Sequence, residues 1–267
     1  MPPRKPMAGE KNSIRLAIAA RADYSLSGMA KLVFDIETSA LPMEQFDAVQ
    51  QEYLFREAEN LPDPAARLAR RQEIRRQFSL WPFTGQIVCI AMLNAETARG
   101  KVLFLAEEPE TNSSRAGTVE FMACADESDL LMEFWEVALH YDSIVTFNGR
   151  AFDVPFLYMR SAMLRVPVTR KDWLGYRFQI EPHCDLLEQL TFYGVSGRDG
   201  AARRFNLDFY CKAFGIPSPK GNGITGMDVS RLAAEGRGRE IALYCLGDVQ
   251  ATVELYRVWR DRLAAIK

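Results

Sequence analysis

The sequence has 267 residues, 48% hydrophobic and 25% charged, which excludes a collagen, a coiled coil, a disulfide scaffold and wholesale disorder. Its longest apolar run, Ile87 to Leu93, falls far short of the roughly 20 residues of a membrane span, so no membrane partner is expected. A net charge of −2 excludes a generic basic coat protein held to nucleic acid by counterion release, but not an enzyme that grips a few nucleotides.

The five cysteines are scattered, and there are only two histidines, His140 and His183. A reduced, cytoplasmic chain is expected, and any metal would have to sit on carboxylates. Residues 1–28 read as a disordered arm or as sequence upstream of the true start. The remainder, 29–267, reads as one α/β domain.

In chain order, Leu32 to Glu37 is a short β-rich run and predicts strand 1. Residues 43–79 carry helix formers, and Pro62 and Pro64 divide them into two helices, a helical insert after strand 1. Gln86 to Leu93 and Val102 to Leu105 predict a hairpin. Glu107 to Arg115 reads as polar loop, and Ser128 to Tyr141 has helical period. Ile144 to Phe147 predicts strand 4, with a helix over Phe152 to Leu164 after Gly149. Residues 165–182 give no clear pattern. Asp185 predicts an N-cap for a helix over Leu186 to Phe192. Further helices are predicted over Phe205 to Phe214 and Arg239 to Ala265, with a Gly/Pro loop containing Lys220 between them.

Three places hold chemistry. Asp35 and Glu37 lie two apart on an apolar strand and point to one face. Such a like-charged pair is costly unless a cation lies between the two groups, and an oxygen-preferring divalent ion is the simplest remedy. If instead the strand ends at Ile36, both groups simply face water. Asn148 to Asp153 form a strand-to-helix turn, where functional groups gather in α/β folds, though Asp153 also serves as a helix N-terminal acid. Tyr244 and Asp248, four apart on a helix, share a face along a buried stripe.

Taken together, these residues resemble the DEDD exonuclease superfamily in its tyrosine branch (DEDDy). More narrowly, the chain is similar to proteins related to the proofreading exonuclease domain of family B DNA polymerases. Phe34-Asp35-Ile36-Glu37-Thr38 matches the first motif, Asn148, Phe152 and Asp153 the second, and Tyr244 and Asp248 the third. The histidine branch would have a His where Leu243 stands.

The resemblance implies a ribonuclease H-like fold: a mixed five-stranded sheet with helices on both sides and strand 1 central. It implies a 3′→5′ exonuclease that hydrolyses single-stranded nucleic acid, DNA before RNA, to 5′-mononucleotides with two divalent ions, Mg²⁺ or Mn²⁺. Asp35 should bridge both ions, Glu37 and Asp248 should complete the water-activating site, Asp153 should act on the second ion, and Tyr244 should orient the water. Thr38, Leu41, Asn148 and Phe152 are the implied contacts to the substrate, a single-stranded DNA or RNA 3′ end. With no room for polymerase segments in 267 residues, the chain is expected to act alone or in trans.

The rival readings are an RNA-trimming exoribonuclease, a non-catalytic nucleic-acid-binding module on the same fold, and an endonuclease on a related fold. Arg67, Arg70, Arg71, Arg75 and Arg76 either track phosphates or form a solvated face paired with local acids such as Glu73. His183, Cys184 and Cys211 read as structural.

Overall fold

A computed structural model describes residues 30–106, 114–194, 203–218 and 223–266. The expectations for residues 1–28 and for Lys220 lie outside these. The elements that matter are β1 (Lys31–Ala40), α1 (Ala48–Glu59), α2 (Pro64–Arg76), β2 (Gly85–Asn94), β3 (Gly100–Leu105), β4 (Ser114–Ala116), β5 (Val119–Cys124), α3 (Glu127–Ala138), β6 (Ser143–Thr146), α4 (Asp153–Leu164), β7 (His183–Asp185), α5 (Leu186–Leu190), α6 (Leu207–Phe214), α7 (Val229–Ala234) and α8 (Gly238–Arg262).

The strands form one mixed sheet in the order β4-β5-β3-β2-β1-β6-β7. The expected five strands are therefore corrected to seven among the described residues. The three that the sequence did not place are short or irregular in pattern: β4 and β7 have three residues each, and β5 runs Val-Glu-Phe-Met-Ala-Cys. β1 is interior, flanked by β2 antiparallel and β6 parallel, and lies one place from the middle.

Alternation along β1 divides the core in two. Leu32, Phe34 and Ile36 join the cluster under α3 and α4, which includes Phe134, Trp135, Leu157 and Trp173. Val33 belongs to the opposite cluster, with Cys89, Ala91, Val145 and the inner stripe of α8, namely Ile241, Cys245, Val249 and Val253. Helices thus cover both faces, and the parity of Val33 sends Asp35 and Glu37 toward α8. At Gly238 the start of α8 runs so close to β3 that a Cβ would lie 2.2 Å from the Leu105 carbonyl oxygen. Only glycine lets the helix lie that close.

The insert after β1 is present as expected. Asp47 and Asp63 cap α1 and α2, with Pro64 at the helix start, and Phe46, Phe55, Ala58, Ile74 and Phe78 form their own small core. Arg70 pairs with Glu57 and Glu73, and Arg71 pairs with Glu59, so these arginines are engaged by local acids.

Candidate active site

β1 is disrupted where its carboxylates stand. Glu37 pairs with Cys89, but Thr38 pairs with Ile87, so Val88 is an extra residue on β2 and a β-bulge follows Glu37. Bulges re-aim side chains and recur beside active sites. Here Glu37, Thr38 and Ser39 are all buried in succession.

Asp153 reaches the same place from the other side. β6 pairs with β1 only as far as Val33–Val145 and ends at Thr146. Further along β1, the Ile36 N–H donates to Asp153 Oδ1 at 3.2 Å. The turn that delivers Asp153 requires its sequence. Asn148 adopts φ +67°, a left-handed conformation that Asn tolerates, and a Cβ on Gly149 would lie 2.4 Å from Thr146 Oγ1.

The turn is fastened from β7. The Asp185 carboxylate accepts from the N–H groups of Asn148 and Arg150 at 3.0 Å each, and from Leu187 N–H at the start of α5. Asp185 does cap α5 as expected, through Oδ1, but both of its oxygens also tie down the turn, a partnership that only the fold reveals. The Gly149 N–H donates to Thr146 Oγ1, which lies 2.8 Å from His183 Nε2. His183 Nδ1 faces the Trp173 carbonyl at 3.1 Å, so Nδ1 carries the proton and Nε2 accepts from the threonine. Burial, reinforced by Arg150, holds His183 down to about 3, so the imidazole is a neutral structural link.

α8 completes the group. Tyr244 and Asp248 share a hydrogen bond, and with Asp35 and Asn148 they line a cleft of about 450 Å³. That volume lies in the usual range for ligand pockets, about 300–1,000 Å³. Phe147, Leu187, Phe205, Asn206, Leu207 and Asp208 form the rest of its wall. None of these six was singled out from the sequence for the site. Asn206 and Asp208 belong to the N-cap and first turn of α6, so locally they read as helix-start residues.

The electrostatics are one-sided. Burial pushes the Asp35 carboxyl well above the usual range, and Asp153, Glu37 and Asp248 add to the shift. Burial, then Asp248 and Asp153, does the same to Glu37. Burial also lifts Asp153 to about 7, against hydrogen bonds that favour the charged form. Among the described residues no Lys or Arg pairs with Asp35, Glu37 or Asp153. Tyr244 is pushed up by partial burial and by Glu37 and Asp248, so its phenol stays protonated.

One ligand atom each from Asp35, Glu37 and Cys245 lies within 4.8 Å of the others. The Cys245 thiol donates to the Asp35 carbonyl at 3.5 Å, and burial keeps it protonated. It reads as packing under the carboxylates, because Mg²⁺ and Mn²⁺ prefer oxygen. The carboxylate set fits hard divalent ions on donor chemistry and on its uncompensated negative charge.

The remaining sequence candidates are spread out. Asn148 is on the cleft wall. The Thr38 hydroxyl donates to the Ser79 carbonyl at 2.6 Å, which ties β1 to the insert. Leu41 packs against the insert's small core. Phe152 packs on the cluster under α3 and α4, 5.5 Å from the Phe156 ring.

Comparisons with known proteins agree with this geometry. Residues 83–263 match a protein family described as predicted 3′-5′ exonucleases related to the exonuclease domain of PolB. That stretch contains the Asn148 turn and the Tyr244–Asp248 helix. DNA polymerase 1 of Saccharolobus solfataricus is 25% identical over an alignment of 138 residues that covers 48% of this chain and 15% of that polymerase. The family B DNA polymerase of Pyrobaculum calidifontis superposes with a TM-score of 0.53 at 18% identity, covering 88% of this chain and 25% of that one. The superposition shows the fold, a ribonuclease H-like α/β sheet flanked by helices. The chain spans only a minor part of either polymerase's length. With the family match extending over more than half of its residues, the chain belongs to the family of predicted 3′-5′ exonucleases related to the exonuclease domain of PolB.

Proposed function

We propose that the protein is a 3′→5′ exonuclease that removes 5′-mononucleotides from single strands, with DNA as the preferred substrate. The observation that carries the reading is the uncompensated carboxylate set, half-buried Asp35 with buried Glu37 and Asp153, beside a cleft that Asp35 shares with Asp248 and Tyr244. Buried carboxylates without a cation are costly for a fold. Family membership supplies the phosphodiester chemistry that would use them.

In this reading Asp35, Glu37, Asp153 and Asp248 would hold two divalent ions. When bound, the ions supply Lewis acidity, which makes water a nucleophile near neutral pH and offsets charge on the phosphate. Tyr244 keeps its proton, so it serves as a hydrogen-bonding group that positions the attacking water and not as a base. Asp153, held by the Ile36 N–H, keeps a fixed distance from β1, so the turn and the strand act as one platform. Asn148, on the cleft wall, would contact the terminal nucleotide.

The test is a time course on matched DNA and RNA single strands labelled at the 5′ end, with Mg²⁺, with Mn²⁺ and with EDTA. The expected result is a metal-dependent ladder that shortens from the 3′ end one nucleotide at a time, faster on DNA. Binding without cleavage in either metal would overturn the assignment in favour of a binding module.

A further inference from the structure

At the start of α6 more aromatic surface is exposed than the fold requires. Asn206 caps the helix by accepting from the Phe209 N–H at 2.9 Å. Phe205, just before the cap, meets Tyr210 edge-on at 6.1 Å, a hydrophobic staple that fixes how the chain enters the helix. This accounts for Phe205 and Tyr210 but not for Phe209. The Phe209 ring lies parallel to Phe205, 4.1 Å away with planes 9° apart, and remains 52% exposed. The Arg203 guanidinium sits 5.3 Å from the Phe205 ring centre, and among the described residues no carboxylate pairs with it.

We infer that Phe209, stacked on Phe205, is a base-stacking subsite for single-stranded nucleic acid leading into the cleft. The argument is continuity and complementarity. Phe205, Asn206 and Leu207 line the same cleft as Asp35, Tyr244 and Asp248, so a strand with its 3′ end at the carboxylates borders this corner. A flat exposed ring offers a π-face that any base can use, and Arg203, over the Phe205 ring beneath it, adds a positive charge to the same corner. The base faces of a duplex are already stacked on one another, so the subsite selects unpaired strands. The inference rests on the exonuclease reading and assigns that reading's route for the strand.

The experiment compares wild type, Phe209→Ala and Phe209→Trp on 5′-labelled oligothymidylates, a dinucleotide and an oligomer of about eight nucleotides, within the usual footprint of single-strand sites. Binding of the longer oligomer is also followed by fluorescence anisotropy in EDTA. Phe209→Ala is expected to weaken binding of the longer oligomer about tenfold, the loss of one stacked base. The effect should fall in KM more than in kcat, and the gain in affinity with strand length should shrink. Phe209→Trp should restore binding. Unchanged anisotropy and KM for Phe209→Ala would overturn the inference, and point to a protein partner or plain packing. If wild type binds but cleaves neither oligomer, the exonuclease reading fails separately, and the anisotropy comparison still decides the subsite.

Discussion

Two buried acidic sites border the same strand, β2, and they are resolved in opposite ways. On the side of α3, Glu127 accepts from the Ile87 N–H at 2.8 Å and from Arg160 Nε at 2.9 Å, and Arg160 also donates to the Pro82 carbonyl. Both side chains are 6% exposed, and each charge meets its complement. On the side of α8, Asp35, Glu37 and Asp153 meet one another and Asp248, and burial raises the first three together. The fold is thus able to neutralise a buried carboxylate with a guanidinium, and does so where the role is structural. The other cluster is left short of positive charge, which is where a cationic ligand belongs.

The contrast can be broken most strongly at the matched site. Arg160→Met leaves Glu127 buried and unpaired, and is expected to destabilise the protein by about 3–5 kcal/mol. Urea denaturation would read this, and the Arg160→Met/Glu127→Gln double variant should recover part of the loss. A double variant no better than the single one would mean that the pair is not the cause.

At the unmatched site the effects should reverse: activity lost, stability kept. Asp248→Ala is expected to lower turnover by more than about 100-fold, since losing a group that merely supports a metal ligand already costs about 10–100-fold. Its melting temperature without metal should equal or exceed that of wild type. Full activity in this variant would remove Asp248 from the site.

Added metal and pH sharpen the comparison further. Asp153 is raised in the folded protein, so its protonated form favours the fold, and stability falls as pH rises through about 7. Buried neutral His183 acts the opposite way only below its unfolded pKa of about 6.5. In EDTA, therefore, the melting temperature should go on dropping above about pH 6.5, where His183 no longer offsets the fall, and should level off by about pH 8, once Asp153 is ionised in the folded state as well. Mn²⁺ at about 100 times its Kd should add ~2.7 kcal/mol, roughly 5–10 °C for a chain of this size. The gain should be larger at the alkaline end, where no protons need be displaced. Equal gains at both ends would break the link between the carboxylates and the metal.

The smallest effect is at Tyr244. Removing its hydroxyl in Tyr244→Phe deletes one hydrogen bond, a loss of about 1 kcal/mol or several-fold in kcat. Complete inactivation would assign the phenol a larger part than orientation.

Much of this was legible in the sequence because it is local. Period-2 alternation put Asp35 and Glu37 on one face of β1, helical spacing put Tyr244 and Asp248 together, and Pro62 and Pro64 divided the insert. β7 was not legible: three residues containing His183 and Asp185 carry no strand pattern, and their pairing with β6 joins positions 39 residues apart. β5 escaped for a similar reason, since it completes the sheet by pairing parallel with β3 across a connection of polar residues.

The sequence by itself determined which groups stand as candidates for the chemistry and which face of each element they occupy, because periodicity and spacing act over a few residues. The tertiary structure alone decided their charge state and support. Desolvation of Asp35 requires α8 over β1, and Asp153 is anchored by the backbone of a strand 117 residues away. The Asn148 turn is held by Asp185 from β7, and the cleft wall at Phe205 to Asp208 comes from a helix start that is unremarkable in isolation. Burial and long-range hydrogen bonds are properties of the assembled sheet, and no local pattern encodes them.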